Sequence, residues 1–162
     1  MMTSSFIRKH AGAGPASDPP TVPEPPFAER AHTLMYLGRI SSLSTVSRKQ
    51  PEFPFGSVMP YGLDDHGRPV FLISTMAMHT QNLQADPRAS LLVTQNDTGD
   101  DTLGASRVTL VENVLPMPES EMPEARKLYL ARQANSKYWV DFEDFSFYRM
   151  DVVDVYYVGA SE

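Results

Sequence analysis

The side chains that could do chemistry are few in this sequence, and they are widely spaced. There is no cysteine, which excludes disulfides, thiolate catalysis and Cys-ligated metal sites. The four histidines are too scattered to predict a metal centre, and no nucleophile, base and acid follow one another in an order typical of a hydrolase. If the protein is an enzyme, we expect its chemistry to come from a bound cofactor that the protein positions.

Charge and composition limit the possible partners. The formal net charge is -6, with 14 Lys and Arg against 20 Asp and Glu. No basic cluster is visible, so we expect no nucleic-acid partner. No apolar run approaches the ~20 residues that cross a bilayer, and we expect no membrane association. The N-terminus lacks an apolar signal segment and the chain lacks cysteine, which together favour a cytoplasmic location.

The N-terminal part differs in composition from the rest of the chain. Residues 11–26 are rich in proline, glycine and alanine, and they carry too few large apolar side chains to offset the entropy of ordering. We therefore predict a flexible, Pro-rich arm over residues 1–26. Residues 27–162 are predicted to form one domain, because a chain of this length supports a single core.

Hydrophobic periodicity divides that domain into short elements. Apolar residues at helical spacing from Phe27, with a stop at Gly38, predict a first helix. Alternation predicts strands at residues 40–46, 55–63, 69–74, 89–94 and 106–115, with two later candidates at 145–151 and 153–158. The turn sequence at residues 64–67 predicts a hairpin over residues 55–74. Two further helices are predicted, over residues 76–85 with Thr75 as the cap and over residues 119–132.

The element order predicts the architecture. About six strands, mostly joined by short loops and with three helices in the connections, favour a mainly β protein with flanking helices. Consecutive strands with short loops pair antiparallel, so we expect an antiparallel barrel.

Several motifs, in this order along the chain, resemble a known family. They are FPFGSVMPY at residues 53–61, DDHGRP at 64–69, LIS at 72–74, HTQNL at 79–83 and DPRASLLV at 86–93. Together they resemble the pyridoxamine 5'-phosphate oxidase-like, FMN-binding split-barrel family. More narrowly, they are similar to its branch of HugZ-type haem-utilisation proteins and CREG-like proteins. The similarity extends over about residues 28–159.

This resemblance implies a six-stranded antiparallel split β-barrel that binds FMN at a homodimer interface. It points to Ser57, Val58 and Met59 along the isoalloxazine and ribityl edge, to Ser74, Thr75, His79, Thr80 and Asn82 around the phosphate, and to Arg107 as a further phosphate contact. A helix N-terminus suits a phosphate, because its free N–H groups and its dipole favour an anion. The aromatic residues between 138 and 148 are interpreted as core or dimer surface.

The sequence also departs from the family pattern. Gly56 and Tyr61 stand where the true pyridoxamine phosphate oxidases carry arginine and lysine, and Met78 and His79 stand in place of a basic pair. With fewer charge-assisted contacts, we expect weaker FMN binding and no oxidation of pyridoxamine phosphate. The C-terminal extension that helps the haem-degrading relatives bind haem is expected to be missing, so the resemblance does not carry haem oxygenase activity with it.

Two functions remain open from the sequence. The first is an FMN-binding oxidoreductase of unknown substrate, favoured by the retained Ser57, Ser74, His79 and Asn82. The second is a non-enzymatic barrel that binds haem, another tetrapyrrole or a protein partner, favoured by the lost basic residues. Both readings expect a homodimer, and neither assigns a catalytic residue or a metal site.

Overall fold

A computed structural model describes residues 25–96, 99–101, 103–152 and 154–159. The predicted arm lies almost wholly outside these residues and stays a prediction. In chain order the elements are α1 Phe27–Leu37, β1 Ile40–Val46, β2 Pro54–Pro60, β3 Gly62–Leu63, β4 Pro69–Ser74, α2 Met78–Ala85, β5 Arg88–Thr94, β6 Arg107–Pro116, α3 Met122–Arg132, β7 Phe145–Met150 and β8 Asp154–Val158. Short 3-10 turns cover Glu119–Glu121 and Ala134–Tyr138. None of the helices in the described ranges is long and apolar enough to span a bilayer.

The strands form one curled antiparallel sheet in the order β2-β1-β5-β6-β7-β4-β3, with β8 also paired to β6. The ten-residue β6 joins the two halves of this sheet. It pairs with β5 along one edge, whereas its other edge pairs with β8 over residues 107–111 and with β7 over residues 114–116. The sheet therefore splits along β6, and the chain has the predicted split-barrel type of fold.

The described residues contain eight strands, not the six predicted. The predicted second strand is divided at Tyr61, whose ring is fully buried and whose hydroxyl donates to the carbonyl of Met35 at 2.6 Å. Burial raises the pKa of this phenol to about 12, so the hydroxyl keeps the proton that it donates. This buried contact with α1 lies at the point where the chain leaves one half of the sheet and enters the other.

Of the predicted hairpin over residues 55–74, the structure confirms only the pairing next to the turn. Gly62 and Leu63 pair with Val70 and Pro69, but β2 pairs along its whole length with β1. The rest of β4 pairs with β7 instead. The alternation of residues along a strand predicts that the strand pairs but does not say with which partner. The turn sequence therefore predicted β2 and β4 as partners, although both pair mainly with other strands.

The main core fills the barrel with the inward side chains of the strands, closed by α1 through Ala31, Leu34 and Met35. A second, smaller cluster joins α3 to β4 and β7, and it includes Ala125, Tyr129, Val70, Leu72 and Phe147. Along β1 and β5 every second residue is buried on the side of the main core. The other residues of the same strands therefore face outward.

Two arginines fasten the helices to each other. The guanidinium of Arg132, at the end of α3, donates to the carbonyls of Met35, Tyr36 and Gly38 at the end of α1. Arg39 in turn donates to the carbonyl of Arg132 at 2.7 Å. Each arginine thus satisfies carbonyl groups that a helix C-terminus leaves unpaired, and each places a positive charge where the helix dipole favours one.

Glycine at position 38 is required by the close packing of α1 on the barrel. A Cβ atom there would lie 2.6 Å from the hydroxyl of Tyr61 and 2.8 Å from Cγ1 of Val93. We expect Gly38→Ala to lower the free energy of unfolding by about 1–3 kcal/mol, because both buried neighbours must shift. Gly56→Ala is the matched control: a Cβ there meets no atom within 4 Å, so urea unfolding should show almost no loss. Equal stability of the two variants would contradict this packing.

Candidate functional site

The outward side chains of β2, β1, β5, β6 and β8 form a surface that we call the open sheet face. One row of this face crosses all five strands in register and consists of Val58, Ser42, Leu92, Thr109 and Tyr156. Val58 is 75% exposed, and Leu92 and Tyr156 are also exposed. An exposed sheet face that carries large apolar side chains is typical of a ligand or protein contact.

Charged residues of the open sheet face lie at its margins. The central row is uncharged, and Arg107 lies at one end of β6, opposite Thr94 of β5 and Val158 of β8. Its guanidinium donates to the carbonyl of Leu103 at 2.9 Å. Asp154 lies at the other end of β8. The face is thus an apolar and hydroxylated surface with Arg107 at one end and, at the other, Asp154 and Arg88, of which Arg88 is ion-paired with Asp86 at 2.6 Å.

The three predicted residues of β2 do not share one side of the strand. Val58 lies on the open sheet face, whereas the strand alternation turns Ser57 and Met59 the other way. Met59 is 2% exposed and belongs to the core. Side chains of consecutive residues on a strand cannot line one ligand together, and only Val58 of the three projects from the open sheet face.

A second group of predicted residues gathers before α2. The hydroxyl of Ser74 donates to Oδ2 of Asp144 at 2.6 Å and accepts the N–H of Met76 at 3.1 Å. Thr75 is exposed, and its N–H donates to the carbonyl of Asp144. Thr75 is not the helix cap that the sequence predicted. The helix begins two residues later than expected, with Ala77 at the N-cap position and no side-chain hydrogen bond there.

His79 and Thr80, in the first turn of α2, differ in their surroundings. His79 is half-buried, and burial lowers the pKa of its imidazole below the ordinary value. The ring is therefore neutral at pH 7, which makes it a poor partner for a phosphate and a competent ligand for a metal. Thr80 is fully buried, and its hydroxyl has no hydrogen-bond partner among the described residues.

Asn82 has a structural role in this fold. Its side chain is fully buried, donates to the hydroxyl of Thr45 at 3.1 Å and accepts the backbone N–H of Arg48 at 2.9 Å. These bonds tie α2 to β1 and to the loop after it, and they leave the amide without exposed surface. The same contact brings the exposed Arg48 to the first turn of α2, where its guanidinium lies 3.4 Å from Oε1 of Gln81. The sequence analysis did not single out Arg48, because its position beside α2 depends on long-range pairing.

The predicted residues at the start of α2 and the predicted phosphate contact Arg107 do not lie close together within one chain. Asn82 contacts Thr45, which pairs with Ala89 at the start of β5, whereas Arg107 pairs with Thr94 at the end of β5. Five residues of strand separate these levels, or about 17 Å. Arg107 and the start of α2 therefore lie at opposite ends of the sheet, and a site that used both would need a second copy of the chain.

Two grooves lie elsewhere and include none of the predicted site residues. The larger, of about 810 Å³, lies between α1, the turn after β3 and α3. The smaller, of about 390 Å³, is lined in part by Tyr129 and Trp139. Ligand atoms of Asp64, Asp65 and His66 lie within 4.8 Å of one another in the turn, but Asp64 already accepts from two backbone N–H groups and from the guanidinium of Arg68. Turn formation explains this cluster.

Comparison with known proteins agrees with the motifs. A family model described as the β-barrel of CREG matches residues 23–160, which confirms the resemblance found in the sequence. The non-canonical haem oxygenase HOZ of Arabidopsis thaliana, a chloroplast protein, is 35% identical over 131 residues, which is 81% of this chain and 40% of that protein.

Solved structures agree as well. A haem-binding protein from Mycobacterium smegmatis has a TM-score of 0.79 at 34% identity over 86% of this chain and 56% of its own. The Agrobacterium tumefaciens protein Atu2129, of unknown function, has a TM-score of 0.75 at 25% identity over 89% of this chain and 63% of its own. The chain thus spans less than two thirds of each of these relatives.

The lowered pKa of His79 predicts how stability changes with pH. The unfolded chain binds a proton on this imidazole at a higher pH than the folded chain does. Above the ordinary histidine pKa the ring is neutral in both states, and His79 does not lower the free energy of unfolding. As the pH drops from there towards the lowered pKa, the unfolded chain takes up the proton first, and the free energy of unfolding falls. We expect NMR titration to give His79 a pKa below the ordinary value, and His79→Gln to flatten the acid side of the urea-unfolding profile. The exposed His32→Gln is the matched control. A pKa of His79 at or above the ordinary value would contradict its burial.

Proposed function

Because the chain belongs to the CREG β-barrel family, we propose that it binds haem or a related tetrapyrrole on the open sheet face, between two copies of the chain. The observation that carries this proposal is the uncharged central row of that face, with a guanidinium at its margin. The relatives named for haem support the ligand class, since two of them share about a third of their aligned residues with this chain.

The dimensions of the face suit a flat ligand. Five strands span four interstrand spacings, or about 19 Å, which accommodates a macrocycle lying across the sheet. Val58 and Leu92 offer apolar contact to the plane of the ring, and the hydroxyls of Ser42 and Thr109 are small enough to let it approach. Arg107 is suited to one acidic side chain of the macrocycle, because a guanidinium binds a carboxylate through two parallel hydrogen bonds.

A second copy would complete such a site. In a single chain the described residues leave the open sheet face exposed, so a ligand there would keep one side in water. A partner placed over the face would exclude that water and bury the apolar side chains of both copies. Tyr138 and Phe142, in the aromatic region that the sequence assigned to core or dimer surface, are also exposed, but their neighbours in the chain belong to the second cluster and not to the open sheet face.

The chain offers two candidates for a contact to iron. Haem supplies a redox-active iron when bound, and tyrosine and neutral histidine are both known ligands of that iron in proteins. Tyr156 is the one side chain of the central row with such a group. His79, held neutral by burial, lies away from the face, so it is a candidate only if it comes from the second copy. Binding is the proposed function; the oxygenase activity in the name of HOZ belongs to a protein of which the match covers 40%.

FMN binding, with an oxidoreductase activity towards an unknown substrate, is the second candidate. It is favoured by one observation: α2 begins without a side-chain cap. The backbone N–H groups of an uncapped helix start suit a phosphate, whereas the hydroxyl of Thr80 is fully buried and offers a bound phosphate no exposed surface. Arg48 would add charge there, whereas the neutral imidazole of His79 adds none.

Titration with hemin tests the first candidate. We expect the wild-type chain to give a Soret band and Val58→Asp to weaken binding by about tenfold or more, since a carboxylate in the central row is desolvated and repels acidic ligand groups. Leu37→Asp, at a comparably exposed apolar position away from the face (64% against 75% for Val58), should bind hemin as wild type does. The two candidate iron ligands are distinguished with Tyr156→Phe and His79→Ala, since loss of the residue that contacts iron should shift the Soret band and loss of the other should not. Binding of FMN without binding of hemin would replace the first candidate by the second.

Light scattering tests the homodimer. We expect wild type and Leu37→Asp to have twice the mass of one chain at micromolar concentration, and Val58→Asp to dissociate towards the monomer, because its charge lies in the proposed interface. Circular dichroism should show the same strand content in all three. If the wild-type chain is monomeric both with and without hemin, the proposal that the ligand binds between two copies is wrong.

A further inference from the structure

The larger groove lies apart from the open sheet face and combines apolar walls with two arginines. Its walls come from the second half of α1, the turn after β3 and the end of α3. Tyr36, Leu37, Leu63 and Leu128 supply apolar surface, and Tyr36 and Leu37 are exposed. Its volume, about 810 Å³, falls within the range of pockets that hold small organic molecules.

Positive charge predominates in the lining of this groove. Asp64 is paired with Arg68 at 2.7 Å, whereas the exposed Asp65 lies 2.9 Å from a ring nitrogen of His66, a contact that is an ion pair only when that imidazole is protonated. Within the described ranges no carboxylate lies within 4.0 Å of the guanidinium of Arg39 or Arg132, both of which line the groove. A protein with a net charge of -6 therefore presents two cations without acidic partners in one apolar groove.

The two arginines differ in what they can offer. Arg132 uses both terminal nitrogens on the carbonyls of α1, and its Nε is buried without a hydrogen-bond partner. Arg39 is exposed, and among the described residues its guanidinium makes one hydrogen bond, to the carbonyl of Arg132. The remaining N–H groups of Arg39 can bind the two oxygens of a carboxylate, and the half-buried positive charge of Arg132 reinforces that preference.

We infer that this groove is a second ligand site, which takes a small organic acid with an apolar body. The carboxylate binds at Arg39, and the apolar body lies along Leu37 and Leu128. A small, strongly hydrated anion would leave the apolar walls in water, so the walls select an amphipathic one. This site goes beyond the proposed function, since it shares no residue with the central row of the open sheet face or with the start of α2.

Displacement of a fluorescent probe tests the inference on the full chain. The probe is 8-anilinonaphthalene-1-sulfonate, an aromatic anion, and the competitor is dodecanoate, kept below its micelle-forming concentration. We expect dodecanoate to displace the probe from wild type. Arg39→Glu should weaken dodecanoate binding by about tenfold or more, because it turns a charge-assisted contact into a repulsion. Arg126→Glu makes the same charge reversal on the outer side of α3, away from the groove lining, and should leave the affinity within about twofold.

Two further variants distinguish loss of the binding site from loss of folding, and the groove from the open sheet face as the place of binding. Thr33→Glu places a carboxylate in the groove from the exposed side of α1, and it should weaken binding even if Arg39→Glu does not fold. Val58→Asp disrupts the open sheet face and should bind dodecanoate as wild type does, whatever its effect on hemin. The inference is overturned if wild type shows no displacement at about 1 mM, if Arg39→Glu and Thr33→Glu bind normally, if Arg126→Glu weakens binding as much as they do, or if Val58→Asp abolishes it.

Discussion

Hydrogen bonding along β6 is the constraint on which the rest of the structure depends. One edge of this strand pairs with β5 over residues 107–113, and the other is divided between β8 and β7. A strand with three neighbours cannot lie in one flat sheet, so the sheet curls around a core and splits where β8 and β7 diverge. The first half of the sheet then carries its apolar side chains on both faces, one packed on the core and the other left as the open sheet face.

The helices complete the core without covering that face. α1 closes the inside of the barrel, and α3 packs on the second cluster. The contacts of Arg132 and Arg39 with helix carbonyls fix the ends of α1 and α3 next to each other. Both side chains are held by helix ends, and among the described residues no carboxylate lies within 4.0 Å of either guanidinium. The same capping interactions therefore stabilise the fold and give the larger groove its charge.

The candidate site is divided because neighbours in sequence and neighbours in space differ here. The motifs of the sequence place Val58, His79 and Arg107 in one family pattern, and the structure sets the start of α2 and Arg107 at opposite ends of the sheet. A two-fold dimer can bring such separated groups together, because the same surface of both chains forms the interface and residues of one chain contact different residues of the other. In that arrangement the open sheet face would be the shared wall of two equivalent sites.

The sequence by itself predicted the features that depend on local pattern. The ends of α1, β1 and β4 were predicted to the residue, because a helical or alternating period, glycine and proline act over a few neighbours. The family, and with it the split-barrel fold, followed from motifs that are contiguous in the chain. The hairpin, the strand count, the N-cap of α2 and the structural role of Asn82 were decided by tertiary contacts. Each depends on which distant strand or loop lies opposite, as Thr45 and Arg48 do for Asn82. Local periodicity shows that a strand has an inner and an outer side, whereas only the assembled sheet decides that Met59 is enclosed in the core and Val58 exposed.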